Sequence, residues 1–185
     1  MATNQSVPTN LITGFLGAGK STAILNLLAH RPTGERWAVL VNEFGNVPID
    51  QAIFHGSGDA EVAVKEVAGG CICCTAGVPM QMATVQLLRQ VKPDRLLIEL
   101  SGAGHPGAVL DSLRDNLPNL NLRATLCLVD PQQFATDKIA KSQIFHDQIH
   151  MSDVAIINKA DQASTKQNED LLRWLQELYP PKSRI

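Results

Sequence analysis

Gly14-Phe-Leu-Gly-Ala-Gly-Lys-Ser21 fits the pattern G-x-x-x-x-G-K-S/T and lies between an apolar run, Asn10 to Thr13, and a helical run, Ser21 to His30. That is where a phosphate-binding loop has to sit, between a strand and the helix it feeds. Glycines let backbone N–H groups turn inward around phosphate oxygens, and the N-terminus of the following helix adds positive potential. Gly14, Gly17, Ala18 and Gly19 are therefore the expected phosphate cradle. Lys20 is expected to reach the β- and γ-phosphates, Ser21 to offer a hydroxyl to Mg²⁺, and Thr22 to make a further phosphate contact.

On either side of that loop, short β-branched or leucine-rich runs ending in Gly, Asn or Asp alternate with amphipathic stretches. This is the pattern of a parallel sheet covered on both faces. The expected class is α/β, a P-loop NTPase with a mostly parallel sheet and helices on both faces. Strands are expected at Asn10 to Thr13, Arg36 to Asn42, Arg95 to Leu100, Leu122 to Asp130 and Asp153 to Asn158. Helices are expected near Ser21 to His30, Pro79 to Val91, Ala108 to Leu117, Ala135 to His150 and Ser164 to Tyr179. The insert Ile53 to Gly70 carries a GSGD turn and an alternating EVAVKEV run, which points to a hairpin or an edge strand.

The 185 residues are 44% hydrophobic, enough for one packed core, so a single domain over 1–185 with a polar tail at 1–9 is expected. Sixteen lysines and arginines against 18 aspartates and glutamates leave a formal charge of -2, which gives no basic field for nucleic acid or an anionic membrane. No apolar run is long enough to span a bilayer and Met1 to Thr9 has no signal-peptide core, so a cytoplasmic location is expected.

An acidic residue at the end of a later strand completes the Mg²⁺ site in P-loop domains. Arg95-Leu-Leu-Ile-Glu-Leu-Ser-Gly102 offers Glu99, and its rival is Asp130 at the end of Thr-Leu-Cys-Leu-Val-Asp. Glu99 is favoured because Gly102 follows shortly, where a bare backbone can approach the γ-phosphate as a sensor. Asp153-Val-Ala-Ile-Ile-Asn-Lys-Ala-Asp161 is an apolar strand ending in N-K-x-D. The Asp161 carboxylate can accept from guanine N1–H and the N2 amino group, whereas adenine has no donor at either position. Asn158 can contact guanine N7 and brace the phosphate loop, while the stem of Lys159 can lie along the base.

Gly69-Gly-Cys-Ile-Cys-Cys-Thr-Ala-Gly77 packs Cys71, Cys73 and Cys74 together, a soft site suited to zinc or copper(I). Three ligands leave a fourth position to water, to a carboxylate such as Glu43 or Glu66, or to a partner. A structural loop and a redox pair are the alternatives. Cys127 lies inside an apolar strand and reads as core. His146-Asp-Gln-Ile-His150 imitates a zinc helix, but no third ligand is evident, so it reads as part of an amphipathic helix.

The ordered set GFLGAGKST, VNEFG, GGCICCT, IELSGAGHP and NKAD resembles the CobW-type family of metal-handling P-loop GTPases, from about Asn10 to the C-terminus. The resemblance implies slow Mg²⁺-dependent hydrolysis of GTP to GDP, coupled to delivery of zinc, cobalt or another transition metal to a client metalloprotein. By match of motif, Gly17 to Thr22 would hold phosphates and Mg²⁺, and Cys71, Cys73 and Cys74 the cargo. Glu99 would serve Mg²⁺, and Asn158, Lys159 and Asp161 would hold guanine. Glu43 falls in the N-E-F-G switch segment, where it would orient water or contribute to metal binding. Some members carry extra carboxylates beside that segment, where this chain has Val41 and Asn46. The family's C-terminal domain and final guanine-contacting loop are not found in the chain, so weaker nucleotide affinity and poor turnover are expected. A homodimer is compatible with the pattern. The rival functions are a P-loop small-molecule kinase, which would prefer ATP, and a nucleotide-gated scaffold with a structural cysteine loop.

Overall fold

The computed structural model describes residues 6–42, 62–67 and 77–184. In chain order its elements are β1 (Val7–Gly14), α1 (Lys20–Ala29), β2 (Trp37–Asn42), β3 (Val62–Glu66), α2 (Gly77–Val91), β4 (Arg95–Leu100), α3 (Pro106–Asn116), β5 (Leu120–Leu122), β6 (Leu126–Val129), α4 (Pro131–Phe134), α5 (Asp137–Ala140), α6 (Gln143–His150), β7 (Val154–Ile157), α7 (Thr165–Glu177) and β8 (Ser183–Arg184). The strands form one sheet in the order β3-β2-β4-β1-β6-β7-β8, with β5 also beside β1. Among the described residues every pairing is parallel.

Parallel neighbours cannot be joined by tight hairpins, so the crossovers cover the sheet and both of its faces become core. Alternation along the strands shows it. Leu11, Ala38, Leu40, Leu96 and Ile98 pack with Met80 and Leu87 of α2 and Val109 and Leu113 of α3. Their neighbours Ile12, Val39, Val41 and Leu97 pack with Ile24 and Leu28 of α1. A third cluster joins Cys127, Val129 and Ala155 to Phe145 and Ile149 of α6 and Leu171 and Leu175 of α7. Helix α7 opens with a reciprocal capping box between Ser164 and Gln167, which satisfies two backbone donors that would otherwise have no partner.

Three expected elements differ in extent or continuity. β1 starts at Val7 rather than Asn10, because Val7 to Thr9 pair with β5 and so belong to the sheet, not to a tail. The run Leu122 to Asp130 is two strands: Thr9 faces Leu122 and Ile12 faces Leu126, so two residues of β1 oppose three. That extra residue is a bulge, filled where Asn10 Nδ2 donates to the Ala124 carbonyl and accepts at Oδ1 from Arg95. Ala135 to His150 is not one helix but the end of a segment broken into α4, α5 and α6, because Thr136 and Ser142 take extended backbone as N-caps. Of the two expectations for the EVAVKEV run, the edge strand holds: it forms β3, parallel to β2; the rest of that insert lies outside the described residues.

Candidate nucleotide-binding site

The phosphate loop joins the C-terminal end of β1, at the centre of the sheet, to α1. Each of its successive carbonyls from residue 14 to residue 18 accepts a hydrogen bond from a side chain. Lys20 Nζ donates to Gly14 at 3.1 Å and Phe15 at 3.4 Å, Gln133 Nε2 to Leu16 at 2.8 Å, Lys159 Nζ to Gly17 at 2.6 Å and Asn158 Nδ2 to Ala18 at 2.8 Å. The Ala18 N–H also donates to the Phe15 carbonyl at 3.1 Å, so the loop is a tightly held turn between strand and helix, the place where such a unit receives an anion. Helix α1 has no side-chain cap at its N-terminus, the end at which its dipole is positive.

Gly19 makes this packing possible. Its φ of 92° lies in the left-handed region, and a Cβ there would fall on Asn158 Nδ2. Only glycine admits both the backbone turn and the amide that braces Ala18.

Ser21, on the first turn of α1, donates from Oγ to Glu99 Oε1 at 2.8 Å. Glu99 is 1% exposed near the end of β4, paired with Val41 on one side and Ile12 on the other. A hydroxyl and a carboxylate so close are the hard oxygen donors that Mg²⁺ takes, so the residues present fit that ion. Asp130, the rival acid, is committed elsewhere. Its Oδ1 caps α4 by accepting from the backbone N–H of Gln132 and Gln133, and its Oδ2 lies 3.1 Å from Lys159 Nζ.

At the end of β7, Asn158 and Lys159 turn back onto the phosphate loop, with Lys159 at φ 58°. The turn is closed by Gln162 N–H on the Lys159 carbonyl at 3.0 Å and by Asn168 Nδ2 on the Ala160 carbonyl at 2.9 Å. Asp161 is exposed beyond it, as is Thr22 on α1. Across the site, Gly102 is buried against the phosphate loop: a Cβ on it would lie 2.6 Å from Leu16 N and Cα.

Glu43, Cys71, Cys73 and Cys74 lie outside the described residues, as does Asn46; Glu66 is exposed at the end of β3. Among the described residues no cluster of three His, Cys, Asp or Glu side chains could hold a metal ion. His146 and His150 have rings 6.4 Å apart on α6, and His146 Nε2 lies 2.6 Å from the Ala140 carbonyl. Cys127 is 1% exposed; burial pushes its thiol up to about 12, against the lowering influence of Lys20 and Lys182. No helix among the described residues is long and apolar enough to cross a membrane.

The sequence did not single out Gln133, Gln148 or the capping role of Asp130. The Asp130-Pro131 pair, a capping acid followed by proline at the first helical position, was a readable helix start. The two glutamines carried no local signal.

Fold and phosphate loop together define a P-loop nucleotide-binding domain. The chain belongs to the CobW/HypB/UreG nucleotide-binding domain family, whose model matches residues 8–185. It is 50% identical over 171 residues to the zinc chaperone YeiR of Escherichia coli K12, covering 91% of this chain and 51% of that protein. It is 30% identical over 177 residues to the zinc chaperone YjiA of the same organism, covering 90% and 54%. The chain thus spans about half the length of these relatives. Among solved structures, Zn(II)-bound YjiA GTPase from E. coli superposes with a TM-score of 0.69 at 22% identity, over 98% of this chain and 57% of that one; the likeness shows the same fold.

Proposed function

We propose that this chain binds GTP with Mg²⁺, hydrolyses it slowly to GDP, and uses the nucleotide state to control a transition metal, zinc first and cobalt as the alternative. Cys71, Cys73 and Cys74 hold that cargo metal for transfer to a client metalloprotein in the cytoplasm, where thiols stay reduced. The observation that carries the nucleotide half is the 2.8 Å contact between Ser21 and Glu99 beside a loop whose carbonyls from Gly14 to Ala18 accept from side chains. Similarity to a protein named a zinc chaperone, at 50% identity, supports the metal half.

In this reading the N–H groups of Gly17 and Gly19 and the α1 N-terminus receive the phosphates, joined by that of Ala18 as it leaves the Phe15 carbonyl. Lys20 exchanges the Gly14 and Phe15 carbonyls for β- and γ-phosphate oxygens, so a cation already desolvated meets charge without a large solvent reorganisation. Ser21 and Glu99 hold Mg²⁺, which when bound offsets charge on the β- and γ-phosphates. Asp161 accepts from guanine N1–H and the N2 amino group, and Asn158 orients the base while bracing the loop. Glu43 orients the attacking water. Gly102 senses the γ-phosphate, and the segments on either side pass that state to the cysteines. Coupling is reciprocal: a tenfold change in metal affinity requires a tenfold change in GTP affinity, about 1.4 kcal/mol.

Hydrolysis of GTP and ATP, each with and without Mg²⁺, tests the first half, and Zn²⁺ binding by the chain and by its Cys71, Cys73 and Cys74 to serine variant tests the second. The expected result is Mg²⁺-dependent turnover of GTP alone and one zinc site lost in the variant. Equal turnover of ATP, or an unchanged zinc site, contradicts the proposal.

A further inference from the structure

Helix α6 carries the His146-Asp-Gln-Ile-His150 stretch, which the nucleotide site leaves unused. Its polar side chains hold the loop that contains Gly102. Gln148 is 1% exposed, and its Nε2 donates to the carbonyls of Gly102 and Gly104, each at 3.1 Å. Beside it, Asp147 Oδ2 lies 3.5 Å from Nε2 of His105, the N-cap residue of α3.

Two carbonyl acceptors can be served only by the NH₂ half of an amide, so the orientation of the Gln148 side chain is fixed by its partners. Its Oε1 has no hydrogen-bond partner among the described residues. Burying an amide costs free energy that only its hydrogen bonds offset, and here both of them go to this loop. The loop is also closed on itself, by Gly104 N–H on the Ser101 carbonyl at 2.8 Å and Ala103 N–H on Ser101 Oγ at 3.3 Å. The arrangement Gln148 holds is the inward one, with Gly102 packed on Leu16 of the phosphate loop.

We infer that Gln148 is a positioning residue for the Gly102 loop, holding it in the conformation that reads a γ-phosphate, so that it sets the preference for nucleoside triphosphate over diphosphate. The inference rests on the nucleotide reading above. A loop already in place spares the triphosphate the cost of ordering it, whereas a diphosphate has no group to reach Gly102. Removing the Gln148 donors therefore weakens the triphosphate selectively.

The test measures the affinity of the purified chain for GDP and for a non-hydrolysable GTP analogue, both with Mg²⁺, in the parent and in Gln148→Met and Gln148→Glu. Met keeps the length without a donor; Glu keeps the shape but sets carboxylate oxygens against two carbonyls. Expected is a loss of about tenfold for the analogue, larger in the Glu variant, with GDP affinity within about twofold, which also reports that the variant folds. Leu175→Ala, a buried position on α7 away from both loops, should lower thermal stability and leave the ratio unchanged. An equal loss for both nucleotides, or no loss, overturns the inference and leaves the nucleotide reading intact; a parent chain that binds neither nucleotide overturns both. If the variants do not fold, hydrogen exchange in the parent decides. Residues 101–105 and α6 should be protected together by the analogue and not by GDP, and independent protection contradicts the inference.

Discussion

The two loops that flank the phosphate hollow are held in different ways. Side chains of α1, of α4 and of the N-K-A-D turn engage every carbonyl of the phosphate loop from Gly14 to Ala18. Among the described residues, one side chain from outside, Gln148, holds carbonyls of the Gly102 loop. Many hydrogen bonds from several elements make a geometry that a ligand cannot easily move, whereas a loop whose carbonyls are held from outside by one amide can take two positions at lower cost. Substrate capture needs the first property and a switch needs the second.

Breaking the rigid side should give the largest effect. Gly19→Ala places a methyl group on Asn158 Nδ2 at a backbone φ of 92°, and it should weaken GDP and GTP alike by about a hundredfold or more, measured by fluorescent-nucleotide titration. Asp161→Asn should weaken GTP by about a hundredfold and improve xanthosine triphosphate, whose base offers an acceptor where guanine has an amino donor; unchanged GTP affinity would show that Asp161 does not read the base. Asn158→Ala removes one brace and should cost about tenfold for both nucleotides. A loss confined to the triphosphate would erase the distinction between the two loops.

The smallest effect concerns the floor of the rigid side, where Cys127 pairs across the sheet with Thr13. Its thiol is raised from 9.0 to about 12 by burial, so the folded state retains a proton that the unfolded chain gives up. Stability from this group is fully present below about pH 9 and falls as pH rises toward 12. Thermal melts across that window should fall less steeply in Cys127→Ala than in the parent, and iodoacetamide at pH 8 should leave Cys127 unlabelled in the native chain.

The phosphate loop and the N-K-A-D turn were legible because each is contiguous and each residue type has a local chemical reason. The sheet was legible from runs such as Trp37 to Asn42, whose alternate residues feed two cores. The braces were not. Gln133 reaches Leu16 and Gln148 reaches Gly102 across long stretches of chain, and a side chain bonded to a distant carbonyl leaves no periodicity to detect. The bulge opposite Asn10 escaped notice for the same reason, since Leu122 to Asp130 is apolar on both sides of the break and only pairing with β1 exposes the extra residue.

The central claim is that nucleotide state and metal affinity are coupled. It is tested most directly by titrating the reduced chain with Zn²⁺ against a chromophoric chelator, with Mg²⁺ plus a non-hydrolysable GTP analogue and with Mg²⁺ plus GDP. The account predicts one site, absent when Cys71, Cys73 and Cys74 are serine, whose affinity differs by about tenfold or more between the two nucleotides. A site of equal affinity in both states would contradict it.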